Sequence, residues 1–170
     1  MSYLNVSTIG LRGHIHSAID NLYTSHQVNI ARPHLKMLSG DYLTFYKKSL
    51  QSGGSPICIL CTDNVNETLC HLITECSAIY KERTQIIYEI SILCDSTKNK
   101  IDFNRIITIK EELCQFILDP SSMNLLNRVS TYDPLLSDFF QLSRNLCYII
   151  DKKRYTAINE IAKKSIEDKK

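Results

Sequence analysis

Four residues close together constrain this chain more than anything else in it. Cys58 and Cys61 form a Cys-x-x-Cys pair, nine residues separate them from His71, and four more lead to Cys76. A Cys-x-x-Cys turn can aim both sulfurs at one ion while its backbone amides face the thiolates. His71 and Cys76 are just over one helical turn apart, so both can reach the same point from the start of a helix. Three soft thiolates and an imidazole in a tetrahedral array suit Zn2+, at about 2.3 Å for sulfur and about 2.0 Å for nitrogen. With all four positions filled by protein, no place is left for a reactive water, and the metal is expected to be structural. Cys70, immediately before His71, is the alternative third ligand. The alternative for the whole set is a group of buried, reduced thiols. Cys94, Cys114 and Cys147 lie in apolar helical surroundings and read as core.

The bulk numbers leave room for such a site in an ordinary globular chain. At 170 residues, with 44% hydrophobic and 22% charged, there is enough for one domain or two small packed pieces. Five Gly and four Pro are few for a fold built on many tight turns. A net charge of +2 implies no nucleic-acid partner by itself. No window holds the roughly 20 apolar residues that span a bilayer, so no membrane partner is expected. The start, MSYLNVSTIG, lacks a basic stretch followed by an apolar run. An intracellular protein, nuclear or cytoplasmic, is therefore expected. The sequons at Asn5 and Asn66 are then chance matches, and the seven cysteines read as ligands or core rather than disulfides.

Hydrophobic periodicity reads as mainly α. Ile15, Ile19 and Leu22 fall at helical spacing. A second helix is expected from Pro33, with Leu35, Leu38, Tyr42, Phe45 and Tyr46 on its apolar side and a bend possible at Gly40. Ser52 to Pro56 breaks the chain ahead of the cysteines. Ser77 is the expected N-cap of a helix carrying Ile79, Ile86, Ile90 and Leu93. After a polar linker, a further helix carries Ile106, Ile109, Leu113, Phe116 and Ile117. Asp133-Pro134 opens the last helix, with a seam of Leu135, Phe139, Leu142, Leu146 and Ile149. The expected organisation is a segment 1–93 with the zinc knuckle, a linker 94–104 and a helical segment 105–170 packed back on the first. The fold class is thus a small helical domain with a Cys-Cys-His-Cys zinc-stabilised loop between two helices.

Catalytic constellations are missing. No Asp-Asp pair offers the two-metal carboxylates of a polymerase, no Pro is followed by Asp as a restriction-like nuclease would want, and Gly53-Gly54 lacks the Lys-Ser/Thr of a phosphate loop. His14 and His16 read as surface loop residues. We therefore expect no enzyme and no small-molecule substrate. If the seam of the last helix faces inward, Arg144, Tyr148, Lys152, Tyr155 and Lys163 fall on the opposite side. Cations interleaved with tyrosines suit weak, sequence-tolerant binding of RNA or single-stranded DNA. The bland alternative is a solvated helix face, diluted by Asp151, Glu160, Glu167 and Asp168.

The string Glu67-Thr68-Leu69-Cys70-His71-Leu72-Ile73-Thr74-Glu75-Cys76 resembles the zinc-binding region C-terminal to the reverse transcriptase of non-LTR retrotransposons. Met37 to Leu43 looks like the helix before the first cysteine pair in those polyproteins, and Arg83 sits where the family often has an Arg after the last ligand. Phe116 to Ser121 and Leu142 to Tyr148 look like the closing segments of jockey-like elements, and Tyr3 to Val6 with Gly13-His14 is similar to the stretch before the region. Cys70 departs from the pattern, which commonly has a charged residue there. The resemblance covers nearly the whole chain. It implies a fragment or domesticated derivative of a retroelement polyprotein, its polymerase and nuclease lying elsewhere, with a nucleic-acid contact at the zinc region.

Overall fold

Helix boundaries here follow caps more closely than hydrophobic runs. The computed structural model describes residues 22–96, 102–120 and 134–168. Helix α1 covers Ser25–Ser39 and starts at a reciprocal capping box: the Thr24 hydroxyl accepts from the Gln27 amide, and the Gln27 side chain accepts from the Thr24 amide. Pro33 therefore lies inside a helix rather than opening one. Its missing N–H costs a backbone bond, which burial of Ala31, Pro33, His34, Met37 and Leu38 offsets. Gly40, with φ 80°, ends α1 in the left-handed conformation that a Cβ would disfavour. The expected helix through Tyr46 is thus two helices, with α2 restarting at Phe45–Ser52 behind a Thr44 cap.

Helix α3 spans Tyr80–Ser96 and buries Arg83, Ile86, Ile90 and Cys94. Ser77 does not cap it. A short 3-10 turn, Ser77–Ile79, leads into α3, and the Ser77 hydroxyl bonds the Asp63 carboxylate at 2.9 Å instead. The helix expected around Ile106 to Ile117 is divided too. Helix α4, Phe103–Thr108, is capped by Asp102, and α5 covers Lys110–Leu118. Ile109 sits extended between them, 43% exposed.

Helix α6, Pro134–Glu167, packs along α1 and α3. Its buried residues are Leu136, Phe139, Phe140, Ser143, Arg144, Leu146, Cys147, Ile150 and Arg154. The expected seam is therefore displaced: Phe139 and Leu146 belong to it, Leu142 and Ile149 are half-buried, and the Leu135 side chain lies outside the described residues. Phe116 stacks edge-on against Phe139 and tilted against Phe103, with centroids 5.6 Å apart in both pairs. His34 sends Nε2 to the Leu118 carbonyl at 2.8 Å and its ring edge to Phe140. The core so formed takes residues from both sides of the expected linker. Beyond Arg154 the last helix leaves the core, and residues 160–168 are all exposed. Among the described residues there is no strand, only one antiparallel bridge, Ile57 to Asn66. No described helix is long and apolar enough to cross a membrane. The expected helix around Ile15 and Ile19, and His14 and His16, lie outside the described residues.

Candidate metal centre

The segment between α2 and α3 buries few side chains ahead of His71 and is rich in hydrogen bonds that shape it. The Cys58 amide donates to the Val65 carbonyl at 2.9 Å and the Glu67 amide to Pro56 at 2.8 Å, closing a small hairpin. Asn64 takes φ 53° at its turn, which asparagine tolerates better than most side chains. The hairpin presents Cys58 and Cys61. The second pair comes from a single π-helical turn, His71–Glu75, entered through Thr68, whose hydroxyl accepts from the His71 amide at 3.0 Å. The Cys76 amide donates to the His71 carbonyl at 2.8 Å. That i to i+5 bond spans the same interval as His71 and Cys76, so the wide turn brings both side chains to one side.

One donor atom from each of Cys58, Cys61, His71 and Cys76 lies within 4.8 Å of every other, in a setting that is largely buried. Cys58 Sγ is 4.0 Å from Cys76 Sγ, and Cys61 Sγ is 3.4 Å from His71 Nε2. These four residues could hold a metal ion. The hydrogen bond from Cys76 holds the Cys58 thiol down at about 4, helped by the Leu60 and Cys61 amides, while Cys76 is pushed up by giving that bond and by burial. Burial also pushes Cys61 up. No disulfide joins any of the seven cysteines. Cys70 is not among the clustered donors. Its sulfur lies 3.7 Å from the Thr74 hydroxyl, and a hydrogen bond from Cys114 holds its thiol at about 7. The geometry therefore favours His71 as third ligand.

Basic side chains close around this segment, and each is engaged within the fold. Arg83, buried, donates to the carbonyls of Cys76 at 2.9 Å and Glu75 at 3.3 Å. Lys110 pairs with Glu75. Lys153 meets both the Ala78 carbonyl and Glu82 at 2.8 Å. Arg154 binds Glu67 through Nε at 3.0 Å and Nη2 at 2.9 Å, and donates to the Leu43 carbonyl. Its guanidinium lies over the rings of Tyr42 and Phe45, 5.1 and 5.4 Å from their centroids. The same Glu67 oxygen accepts from the Phe45 amide at 2.8 Å, placing a carboxylate at the N-terminus of α2. Sequence reading missed Arg154 and Lys153 altogether and reached Glu67 and Arg83 only through a resemblance. No hydropathy signal marks an Arg on the inner side of a helix.

The structure buries one member of the face expected on α6. Arg144 is 3% exposed, so it cannot meet a phosphate as that reading required. The helix is rotated about its axis relative to the expected seam, because Phe140, Cys147 and Ile150 face inward and carry Arg144 with them. Tyr148 is half-buried, whereas Lys152 is exposed and Tyr155 is 68% exposed. No protein-family model, no curated protein and no solved structure matches the chain.

Proposed function

We propose that the chain is a non-catalytic helical module whose Cys58, Cys61, His71 and Cys76 hold a structural zinc ion. The proximity of the four donor atoms carries this reading. Ligands about 2.3 Å (sulfur) or about 2.0 Å (nitrogen) from one centre lie about 3.5–3.8 Å apart along tetrahedral edges. The separations of 4.0 and 3.4 Å are close to those edges. Three thiolates with one imidazole favour zinc over harder divalent ions, and a full protein shell leaves no site for catalysis. Purified protein should carry one zinc per chain. Cobalt substitution should give the visible bands of tetrahedral thiolate ligation, and Cys61→Ser should lose both. Absence of stoichiometric metal would end this reading.

The zinc serves structure rather than nucleic-acid contact at the loop. Residues 55–79 contain no Lys or Arg, while Asp63, Glu67 and Glu75 are all acidic. The cations bonded to the segment are spent on internal partners. A field that attracts phosphates is therefore missing beside the metal. The resemblance to the retroelement zinc region supports a shared origin, and it makes a nucleic-acid contact the second reading. Lys152 and Tyr155, exposed on neighbouring turns of α6, favour that reading. Titration of the zinc-loaded protein with single-stranded RNA and DNA at several salt concentrations separates the two. Salt-dependent binding lost in Lys152→Ala with Tyr155→Ala would support the second reading, and no binding at low salt would exclude it.

A further inference from the structure

Lys153 and Arg154 are neighbours in α6, and they grip the metal segment from opposite ends. Arg154 holds Glu67, ahead of His71, and Lys153 holds the Ala78 carbonyl, just after Cys76. We propose that this pair is a metal-dependent clasp, through which occupancy of the zinc site decides whether the last packed turn of α6 is docked. The inference rests on the zinc reading above.

The argument begins with what holds the hairpin in place. Between residues 55 and 67 only Cys58 and Glu67 are buried, and residues 62–66 are exposed. So little apolar burial cannot order a hairpin carrying a single bridge. Two ties remain. One is the metal, joining Cys58 and Cys61 to the firmly packed turn that carries His71, Leu72 and Ile73. The other is Glu67 itself. Its backbone position is set by the hairpin bond to Pro56, and its carboxylate meets Arg154 and the Phe45 amide. Without metal the hairpin loses its first tie, and Glu67 loses the geometry that makes the second.

Arg154 is then left with its charge in a pocket of two aromatic rings and no counter-ion. That state is costly enough to expel the side chain to water. Nothing further along the helix would resist, because α6 is almost wholly solvent-exposed after Arg154. The N-terminal half of α6 would stay put, since Phe139, Phe140, Leu146 and Cys147 are fully buried. Coupling of this kind is reciprocal, so weakening the clasp must also weaken zinc binding.

Hydrogen exchange on the full chain, zinc-loaded and after chelation, tests the clasp. Chelation should speed exchange across 148–158 together with 55–67, by about tenfold or more, while 136–147 changes little. In Glu67→Gln loaded with stoichiometric zinc, 148–158 should already exchange fast. Arg154→Lys, which keeps the charge but cannot bridge Glu67 and Leu43 together, should behave likewise and covers the case in which the first variant does not fold. Both should bind zinc more weakly than the parent. If chelation loosens 55–67 alone, or if both zinc-loaded variants keep parental protection at 148–158, the clasp is wrong although the zinc site stands. If the parent takes up no zinc, metal analysis reports failure of the site itself, and the clasp falls with it.

Discussion

Glu67 and Arg154, separated by 87 positions in sequence, meet through one carboxylate oxygen in an ion pair from which water is almost excluded. Burial pushes the Glu67 carboxyl up, outweighing the pull of Arg154. Arg154 is held charged: burial opposes its charge, but Tyr42 and Glu67 more than offset that. Both values move up: burial dominates at Glu67, whereas the attraction of Tyr42 and Glu67 outweighs burial at Arg154. A guanidinium has no neutral form within reach, so at neutral pH Arg154 is charged and Glu67 is its counter-ion.

The two halves of this pair should not be equally costly to remove. Glu67→Gln leaves a buried cation that cannot neutralise itself, and a loss of about 3–5 kcal/mol is expected. Arg154→Met leaves a buried carboxyl that can take a proton, so it should cost less. The double variant should be milder than the two losses added. Chemical denaturation of the zinc-loaded proteins as a double-mutant cycle measures all three, and equal single costs would contradict the argument.

The pH dependence follows with a definite sign. A carboxyl whose folded pKa is raised binds more protons folded than unfolded. Stability from Glu67 is therefore greatest below its ordinary value of 4.5 and falls as pH rises from there through the folded value. Without Arg154 the shift should grow. The stability of Arg154→Met minus that of the double variant should decline with rising pH over this window. A flat difference would mean that Glu67 stays ionised in the single variant.

Cys70 and His71, adjacent in sequence, should separate cleanly by experiment. The Cys70 sulfur faces Thr74 and Cys114, so Cys70→Ser should retain a full equivalent of zinc and parental cobalt bands. His71→Ala should lose tight binding, because Nε2 stands beside the Cys61 sulfur. The reverse pattern would make Cys70 the ligand.

Arg83 supports the backbone at Cys76, the last of the four clustered donors. Its bonds to the Cys76 and Glu75 carbonyls satisfy the end of the π turn. Arg83→Met keeps the stem and removes the donors. It should cost about 1.5–3 kcal/mol, the range for hydrogen bonds to charged groups. Zinc stoichiometry should be unchanged, and thermal unfolding of the loaded protein reads the loss.

The cluster of four donors was legible because it depends on spacing within one short segment, and the helical class because apolar residues recur at helical intervals. What escaped had physical causes. Hydropathy places the α6 seam at Leu135, Leu142 and Ile149, yet the inner face lies about 100° further round the helix. That face includes Ser143, Arg144 and Arg154, whose polar letters read as surface. Gly40 and Ile109 divide helices that look continuous in sequence, since one terminates in the left-handed region and the other is extended. Partners as distant as Lys153 and Ala78 leave no local trace at all.

The unequal reach of these contacts also orders events in time. The clustered pair Cys58 and Cys76 spans 18 positions, whereas the grips of α6 on the same segment span 75 and 87. Closing a longer loop costs more chain entropy, and distant contacts wait for the segments between them. During synthesis the four clustered donors leave the ribosome long before Lys153 and Arg154 exist as chain. A nascent polypeptide should therefore be able to capture its ion first and meet the long helix later, on a surface that has already set.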